Sequence, residues 1–534
     1  MINLLFTLGI LSNLLAIDTH SGGYLSDNQR AMDVKFYDLN LKIDSKRKLI
    51  SGFVSISFLL KSQPDKFEFD LIDSFKVSSV DVNGMDLSFI HKENKIKINN
   101  PYFDLNKIHK VQINYSGKPP VAKNPPWSGG FSWEKSKEGR PWIAVSCQLN
   151  GAHIWYPCKE HPSDKSDEGA KISISVPKPL VVASNGLLIS SKEENHWKEW
   201  VWETKYPIST YNINFTAGNF KIVEKTGYIL DEPIKLVYYV LPELFDGAET
   251  LLGKAEEYLD FYARHFGQYP FINEKFGLVQ TPYLGMEHQT INAYGNNYKS
   301  TQLGYDFLMF HEMGHEWWGN YLSVSDWSDF WIHEGFDTYA EAMFVEEKYG
   351  SEALKGFVRK RLKTNIKNHK KLVGNSSSKI NELAGNDVYY KGAHVLHMLR
   401  YLIGYDQLKK ILREFIYTPK KQPNNQTSTN DFIAFVQKNV DIDLSWFFEK
   451  YLYQKGLPTL KVEKQELKNK NIYELAWVDK DFLMPLEISF NSFDGKRNRK
   501  LHFQNKPIRI AIPKGESLLI DPDSWLLFDK HYEN

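Results

Sequence analysis

Hydrophobic and polar residues alternate along the first part of the chain. The alternation is clearest at residues 34–43, 54–58 and 171–176, and this period of two arises when successive side chains point to opposite faces of a β-strand. Turn-forming clusters, such as the Pro-, Ser- and Gly-rich residues 124–130, separate the alternating segments. The pattern predicts an N-terminal antiparallel β domain over residues 18–222.

The period lengthens towards that of an α-helix near Pro242. One apolar stripe at helical spacing is ended by Gly267 and Pro270, and it consists of Ala248, Leu251, Leu252, Ala255, Tyr258, Leu259 and Tyr262. Two strand-like segments follow, and then a long helical pattern up to about Tyr453. Strands and helices that occur in blocks indicate an α+β domain, here residues 223–454.

Alternation returns after residues 456–458, whose sequence is Gly-Leu-Pro. Residues 460–463, 486–490 and 508–512 have the pattern of strands, which predicts a small C-terminal β-sandwich over residues 455–534. A chain of 534 residues is too long for one hydrophobic core. The predicted fold class is therefore multidomain α+β.

The amino-terminal segment is apolar but too short to span a bilayer. Residues 1–17 fit the apolar core of a signal peptide, which favours a periplasmic or secreted protein. No Lys or Arg precedes the apolar run, so a cytoplasmic chain is the alternative. No other segment approaches membrane-spanning length, and we do not expect an integral membrane protein.

Charge and cysteine content narrow the class of protein. Lys and Arg number 66 against 65 Asp and Glu, a net charge of +1, so nothing points to a nucleic-acid partner. The chain has two cysteines, Cys147 and Cys158, which form either one disulfide or two buried thiols. Neither belongs to a C-x-x-C pair, which argues against a metal site made of thiolates.

The strongest chemical signal is an H-E-x-x-H motif with a distant glutamate. His311 and His315 stand at i and i+4, so on a helix both imidazoles lie on one face and can bind the same cation. Glu334 follows after eighteen further residues, and a carboxylate on a second helix can complete a site of two histidines and one acid. Glu312, between the histidines, is rotated away and can meet a bound water.

These donors predict one catalytic zinc ion per chain, although iron and manganese stay open as alternatives. Zinc would lower the pKa of a bound water, and Glu312 would take that water's proton, so the apparatus suits hydrolysis of an amide or ester. Asp326 and Asp329 precede the helix of Glu334. Either could accept a hydrogen bond from a ligand imidazole, or both could be helix caps.

Three segments in the expected order resemble the M1 zinc aminopeptidases, the gluzincin group that includes aminopeptidase N and the leukotriene hydrolase. Residues 311–320 (HEMGHEWWGN) with Glu334 match the family's metal motif. Residues 284–288 (LGMEH) are similar to its G-x-M-E-N motif, and residues 388–392 (VYYKG) resemble its Y-x-K-G segment. The resemblance implies a thermolysin-like catalytic domain. It also implies a short family member without the large C-terminal helical domain.

The resemblance assigns further roles. Glu287 and Gln148 would hold the free ammonium group of a peptide substrate, and Tyr389 would donate a hydrogen bond to the developing oxyanion. Gly285 and Met286 would lie along the substrate backbone. The implied activity is removal of the amino-terminal residue from peptides that have a free amino terminus.

The chain departs from the family pattern at three positions. Leu284 stands where the family's G-x-M-E-N motif begins with Gly, His288 replaces its final Asn, and His333 stands where Asn often precedes the third ligand. We expect both histidines to line the site or to pack beside it.

Three other functions stay open. They are a zinc endopeptidase of the thermolysin kind, an aminopeptidase with secondary epoxide hydrolase activity, and an inactive homologue that only binds peptides.

Overall fold

The computed structural model describes residues 19–418, 424–492 and 495–533. The predicted signal peptide at residues 1–17 lies outside these ranges and stays a prediction. Within the described ranges, no helix is both long enough and apolar enough to cross a membrane.

The first block of the chain is built almost entirely of strands. After a short helix, α1 (Asp27–Arg30), come β1 (Met32–Asp44), β2 (Leu49–Leu60), β3 (Lys66–Asp70), β4 (Phe75–Val82), β5 (Met85–Asp86), β6 (Phe89–Lys92), β7 (Lys95–Asn99), β8 (Ile108–Gly117), β9 (Gly130–Lys135), β10 (Pro141–Ser146), β11 (Ala170–Pro177), β12 (Val181–Ser184), β13 (Leu187–Glu194), β14 (Trp197–Thr204) and β15 (Phe215–Gly218).

These strands form three sheets. The largest has the order β13-β14-β11-β1-β2-β8-β4-β5, and the others are β12-β15-β10-β9 and β3-β7-β6. Leu39, Leu41 and Ile43 of β1 are buried, as the alternation predicts. The pairing is antiparallel except between β1 and β11, which run parallel.

The central block begins with a five-stranded sheet. Its strands are β16 (Lys221–Ile229), β17 (Glu232–Val240), β18 (Phe276–Gln280), β19 (Gly285–Met286) and β20 (Asn292–Tyr294), in the order β16-β17-β18-β20-β19. The predicted amphipathic helix between β17 and β18 is α2 (Ala248–Phe266). The short strand β19 is the edge of this sheet, antiparallel to β20.

Helices make up most of the rest of this block. They are α3 (Phe307–Gly314), α4 (Trp331–Tyr349), α5 (Ser351–Phe357), α6 (Ile380–Leu383), α7 (Asn386–Ile403), α8 (Tyr405–Tyr417), α9 (Thr429–Lys438) and α10 (Ser445–Phe448), with a small ladder of β21 (Ser323–Val324) and β22 (Gln426–Thr427). Helix α5 continues into π-helical turns at Val358–Lys363.

Helices α4 and α7 approach each other at two glycines. A Cβ atom built on Gly335 would lie 2.8 Å from the Cα atom of Gly392, and one built on Gly392 would lie 2.9 Å from the Cα atom of Gly335. The backbones can come this close only because both positions lack a side chain. Glu334 and Tyr389, which lie near these glycines in the sequence, both line the cavity described below.

The last block has two sheets. Strands β23 (Thr459–Glu466), β24 (Lys470–Trp477), β25 (Leu486–Ser492), β26 (Gly495–Leu501), β27 (Ile508–Pro513), β28 (Leu519–Ile520) and β29 (Asp529–Glu533) pair in the orders β27-β24-β23-β29 and β26-β25-β28. Leu460 and Val462 of the first sheet and Ile488 of the second are buried. The predicted multidomain α+β fold class is confirmed.

Candidate active site

Helix α3 carries the histidine pair. Asp306 caps its N-terminus by accepting a hydrogen bond from the backbone N–H of Met309 at 3.2 Å. The helix ends at Gly314, and His315 is its C-cap residue, still in the right-handed helical region. The two imidazoles therefore remain on one face, with ring centroids 4.8 Å apart.

Glu334, in the first turn of α4, faces both histidines. Its Oε2 atom lies 3.5 Å from His311 Nε2 and 3.3 Å from His315 Nε2, and the two Nε2 atoms are 3.3 Å apart. A point equidistant from the corners of such a triangle lies about 2 Å from each, which is the length of a Zn–N or Zn–O bond.

The hydrogen bonds behind the imidazoles indicate which atoms are free to bind a cation. His311 Nδ1 lies 2.6 Å from Asp337 Oδ2, and His315 Nδ1 lies 2.9 Å from the carbonyl oxygen of Trp318. His315 Nδ1–H therefore donates to a carbonyl oxygen and His311 Nδ1 pairs with a carboxylate, while the Nε2 atoms of both rings face Glu334 Oε2. Three acceptors directed at one another need a positive charge between them, so these residues fit a zinc ion.

The charges around the histidines also favour a cation. Burial opposes the imidazolium form of His311, but the carboxylates of Asp337 and Glu334 outweigh it and raise the pKa of His311 well above its usual value. In the same way Glu334 overcomes burial and raises the pKa of His315 to about 10. Burial raises the pKa of Glu312 to about 8, and a bound divalent cation would oppose that rise.

Asp337 is a partner that the sequence analysis missed. It lies on α4 three residues after Glu334, hence on the same helical face, and its Oδ1 accepts a hydrogen bond from Tyr262 Oη at 2.9 Å. Of the two alternatives for Asp326 and Asp329, the contact with a ligand imidazole is not the one observed, because Asp337 and the carbonyl of Trp318 lie at the Nδ1 atoms of His311 and His315. Asp326 accepts from the backbone N–H of Ser328 and caps the 3₁₀ turn at Trp327–Asp329. Asp329 accepts from the backbone N–H of Thr429, the first residue of α9, whose own N-cap is Ser428.

Replacing Asp337 with asparagine is expected to weaken zinc binding by about 10- to 100-fold, because the amide is uncharged and no longer fixes the imidazole of His311 as a carboxylate does. Competition against a chromophoric chelator measures the affinity. Asp326→Asn is the control and should leave it unchanged. An equal loss in both variants, or none in Asp337→Asn, would contradict this role.

Glu287 follows the edge strand β19 directly and is buried. Its Oε1 accepts hydrogen bonds from Gln148 Nε2 and, at 3.0 Å, from Tyr211 Oη. Asn320 Nδ2 donates to the backbone oxygen of Glu287 at 2.8 Å. The sequence analysis named Gln148 but missed Tyr211, which belongs to a short 3₁₀ turn without a recognisable motif.

Strand β19 packs directly on α3. A Cβ atom at Gly285 would lie 2.4 Å from Glu312 Oε1 and 2.6 Å from Leu308 Cδ1. A glycine is therefore required for the strand to pass Glu312 without displacing it. Met286 pairs with Ala293 of β20 and is buried.

Tyr389 lies on the first turn of α7. Its ring centroid is 5.9 Å from that of His311, and the two rings are inclined by 32°. The phenol of Tyr389 therefore lies on the His311 side of the donor triangle, which is formed by His311 Nε2, His315 Nε2 and Glu334 Oε2.

One cavity of about 400 Å³ adjoins helix α3, strand β19 and the first turns of α4 and α7. All nine predicted site residues line it, namely Gln148, Gly285, Met286, Glu287, His311, Glu312, His315, Glu334 and Tyr389. This volume is in the usual range of small-molecule and peptide sites.

His288 and His333 are packing residues and do not line this cavity. His288 is fully buried. His333 Nε2 accepts a hydrogen bond from the backbone N–H of Val324 at 2.9 Å, and its ring packs on Trp327 and Phe330.

Two family models match this chain. The family model described as the peptidase M1 N-terminal domain matches residues 34–212, and the one described as the peptidase family M1 domain matches residues 252–451. Together these matches cover more than two thirds of the chain. The chain belongs to peptidase family M1.

Individual members of the M1 family are distant in sequence. Endoplasmic reticulum aminopeptidase 1 of Rattus norvegicus is 24% identical in an alignment of 374 residues, which covers 61% of this M1 chain and 40% of that protein. The M1 chain thus spans about 40% of the length of this relative.

Two solved structures share the fold of the M1 chain. An M1 zinc metallopeptidase from Deinococcus radiodurans, bound to a Tyr-Ser-Ala substrate, gives a TM-score of 0.66 at 21% identity and covers 80% of this chain and 96% of its own. Aminopeptidase A of Legionella pneumophila, in complex with aspartic acid, gives a TM-score of 0.76 at 16% identity and covers 94% of this chain and 60% of its own.

Proposed function

We propose that this M1 chain is a zinc-dependent aminopeptidase that hydrolyses the first peptide bond of peptides with a free amino terminus. The observation that carries the proposal is the position of Glu287 beside the histidine pair. Ligand atoms of Glu287, Glu312 and His315 all lie within 4.8 Å of one another. A carboxylate so close to the candidate metal site leaves room for about one residue between an ammonium group and the bond that is cleaved.

Glu287 is held for this task by its neighbours. Gln148 and Tyr211 both donate to one oxygen of its carboxylate, which fixes the orientation of the carboxylate. Pairing between a buried carboxylate and an ammonium group is a charge-assisted interaction, stronger than a neutral hydrogen bond. A peptide whose amino group is blocked cannot make this pair, so the site selects chain ends.

The remaining residues divide the hydrolytic work. His311, His315 and Glu334 would hold the zinc ion, which supplies Lewis acidity and lowers the pKa of water. Glu312 accepts the proton of the attacking water at its carboxylate and delivers it to the leaving amine. Tyr389 donates its phenolic hydrogen to the oxyanion that develops on the substrate.

The alternatives fit the cavity less well. An endopeptidase has no use for Glu287 as an anchor for ammonium, and an inactive peptide-binding homologue has no need to keep both Glu312 and Tyr389. No feature of the cavity specifically favours epoxide hydrolysis.

A panel of amino-acid chromogenic amides, each with a free or an acetylated amino group, tests the proposal. We expect hydrolysis of the free amides alone, loss of activity with a chelator, and recovery on adding zinc. Equal cleavage of acetylated and free substrates would contradict the aminopeptidase assignment. Activity that resists chelation would contradict the metal dependence.

Glu287→Gln is expected to lower kcat/KM for substrates with a free amino group by about 10- to 100-fold, because the ammonium loses its charged partner. Steady-state kinetics on the same panel measures the loss. Glu274→Gln is the matched control, since Glu274 is also a buried carboxylate but bonds to Thr204 Oγ1, outside the cavity. If both variants lost activity equally, Glu287 would have no specific role.

A further inference from the structure

Arg361 is a cation in the cavity to which the proposed mechanism gives no task. It lies in the π-helical turns that follow α5 and lines the same cavity as the histidine pair. Among the described residues that line this cavity, it is the only Lys or Arg. Its side chain keeps 37% of its surface exposed, so a ligand can reach it.

The guanidinium of Arg361 is held in place from two sides. Its Nε atom lies 3.5 Å from Oε2 of the buried Glu341, which in turn accepts a hydrogen bond from Tyr305 Oη. The guanidinium carbon stands 5.3 Å from the ring centroid of Phe307, within the range of a cation–π contact. Within the described residues, no carboxylate other than that of Glu341 pairs with Arg361.

This arrangement leaves the outer edge of the guanidinium free. Arginine has five N–H donors in a planar fork that matches a carboxylate through two parallel hydrogen bonds. Glu341 faces the Nε atom, and the two Nη groups make no hydrogen bond within the described part of the chain. A second carboxylate can therefore bind at the Nη edge while Glu341 keeps its place.

Arg361 and Glu287 stand at opposite ends of helix α3. Arg361 packs on Phe307, the first residue of the helix. A carboxylate oxygen of Glu287 lies within 4.8 Å of an imidazole nitrogen of His315, which directly follows the last residue of the helix. His315 follows Phe307 by eight positions, which is about 12 Å along a helix axis. His311 lies between them, so a ligand that reaches both charged groups must pass the candidate metal site.

Helix α4 lines the same path. Thr338 and Glu341 follow Glu334 by four and seven residues, which are helical spacings, and all three line the cavity. An extended peptide advances about 3.3–3.6 Å per residue. A peptide of two or three residues therefore has a length of the same order as the path from Glu287 to Arg361.

We propose that Arg361 binds a carboxylate of the substrate on the far side of the cleaved bond, which makes short peptides and peptides with an acidic second residue the preferred substrates. The carboxylate comes either from the carboxyl terminus of a dipeptide or tripeptide or from the side chain of an acidic residue. This inference rests on the proposed aminopeptidase activity and specifies its substrate class.

Peptides matched in shape but not in charge test the inference. Leucyl-alanine is compared with leucyl-alanine amide, which probes a terminal carboxylate, and leucyl-glutamate amide is compared with leucyl-glutamine amide, which probes a side-chain carboxylate. We expect the wild type to favour the carboxylate in at least one pair by about 10-fold or more in kcat/KM, chiefly through KM.

Arg361→Gln should abolish this preference for a carboxylate, while kcat/KM for the uncharged member of each pair stays within about 3-fold of the wild-type value. Arg361→Lys, which keeps the positive charge, should retain part of the preference. The matched control is Arg359→Gln, since Arg359 lies two residues away but bonds to Ser524 Oγ. A purely structural ion pair with Glu341 would predict equal losses on charged and uncharged peptides, and that result would overturn the inference.

Binding measurements separate this inference from the proposed function. Calorimetric titration of the same four peptides into Glu312→Gln reports affinity without turnover. If the wild type hydrolyses free peptides but neither kinetics nor calorimetry shows a preference for a carboxylate, the role of Arg361 fails and the aminopeptidase stands. If no peptide is hydrolysed, yet the peptides with the probed carboxylate bind more tightly than their uncharged counterparts and this difference depends on Arg361, the proposed chemistry fails and the carboxylate site stands.

Discussion

Glu312→Gln is expected to lower kcat by about 100- to 10,000-fold without loss of bound zinc, the usual contribution of a positioned proton-transfer group. The amide cannot accept the water's proton, but it has nearly the same shape as the carboxylate. Glu312 belongs to the cavity wall and not to the donor triangle of His311, His315 and Glu334, so the metal site should persist. Kinetics on a chromogenic amide and zinc analysis of the purified variant measure the two quantities together.

The control for Glu312→Gln is Glu316→Gln, four residues further along the same segment. Glu316 is also buried, but it accepts hydrogen bonds from the backbone N–H of Thr290 and from Asn292 Nδ2, away from the cavity. Its replacement should change kcat by only a few fold. Near-wild-type turnover in Glu312→Gln with full zinc content would refute the assigned proton transfer.

Tyr389→Phe is expected to lower kcat by about 100- to 1,000-fold with little change in KM, because the hydrogen bond is made mainly in the transition state. The ring of Tyr389 packs beside His311, and phenylalanine preserves that contact, so zinc content should not change. Separate determination of kcat and KM tests this, since a residue that only shapes the cavity would alter KM as well.

Tyr390→Phe serves as the comparison for Tyr389→Phe. Tyr390 is the adjacent residue on α7 and also lines the cavity, but the mechanism gives its hydroxyl no task. We expect its kcat to stay within about 5-fold of the wild-type value. A larger loss in Tyr390→Phe than in Tyr389→Phe would mean that the wrong tyrosine has been assigned.

The layout of the chain could be predicted from local patterns. Strand β1 and helix α2 lie where the periods of two and 3.6 occur, because the period of burial follows directly from the geometry of each element. The pairing of β1 with β11 as parallel neighbours could not be predicted in this way. Strand direction within a sheet depends on how the connecting segments cross, and no local period records that.

The candidate site was predictable to different degrees. His311 and His315 are neighbours on any helix, so their spacing alone indicates a shared ligand. The roles of Glu287, Gln148 and Tyr389 were expected only because the chain resembles a known family. Asp337 carried a weak signal, its helical spacing from Glu334, whereas Tyr211 carried none.

The sequence by itself determined the elements, the histidine pair and the glutamate that follows it, because residues close along the chain are held close by helix geometry. The tertiary structure decided everything that joins distant segments. It places Gln148 against Glu287, 139 residues away in the sequence, chooses Asp337 over Asp326 and Asp329 as the partner of His311, and brings Arg361 to the end of α3 opposite Glu287. Such contacts depend on how whole helices and sheets pack, which the pattern of any one segment does not encode.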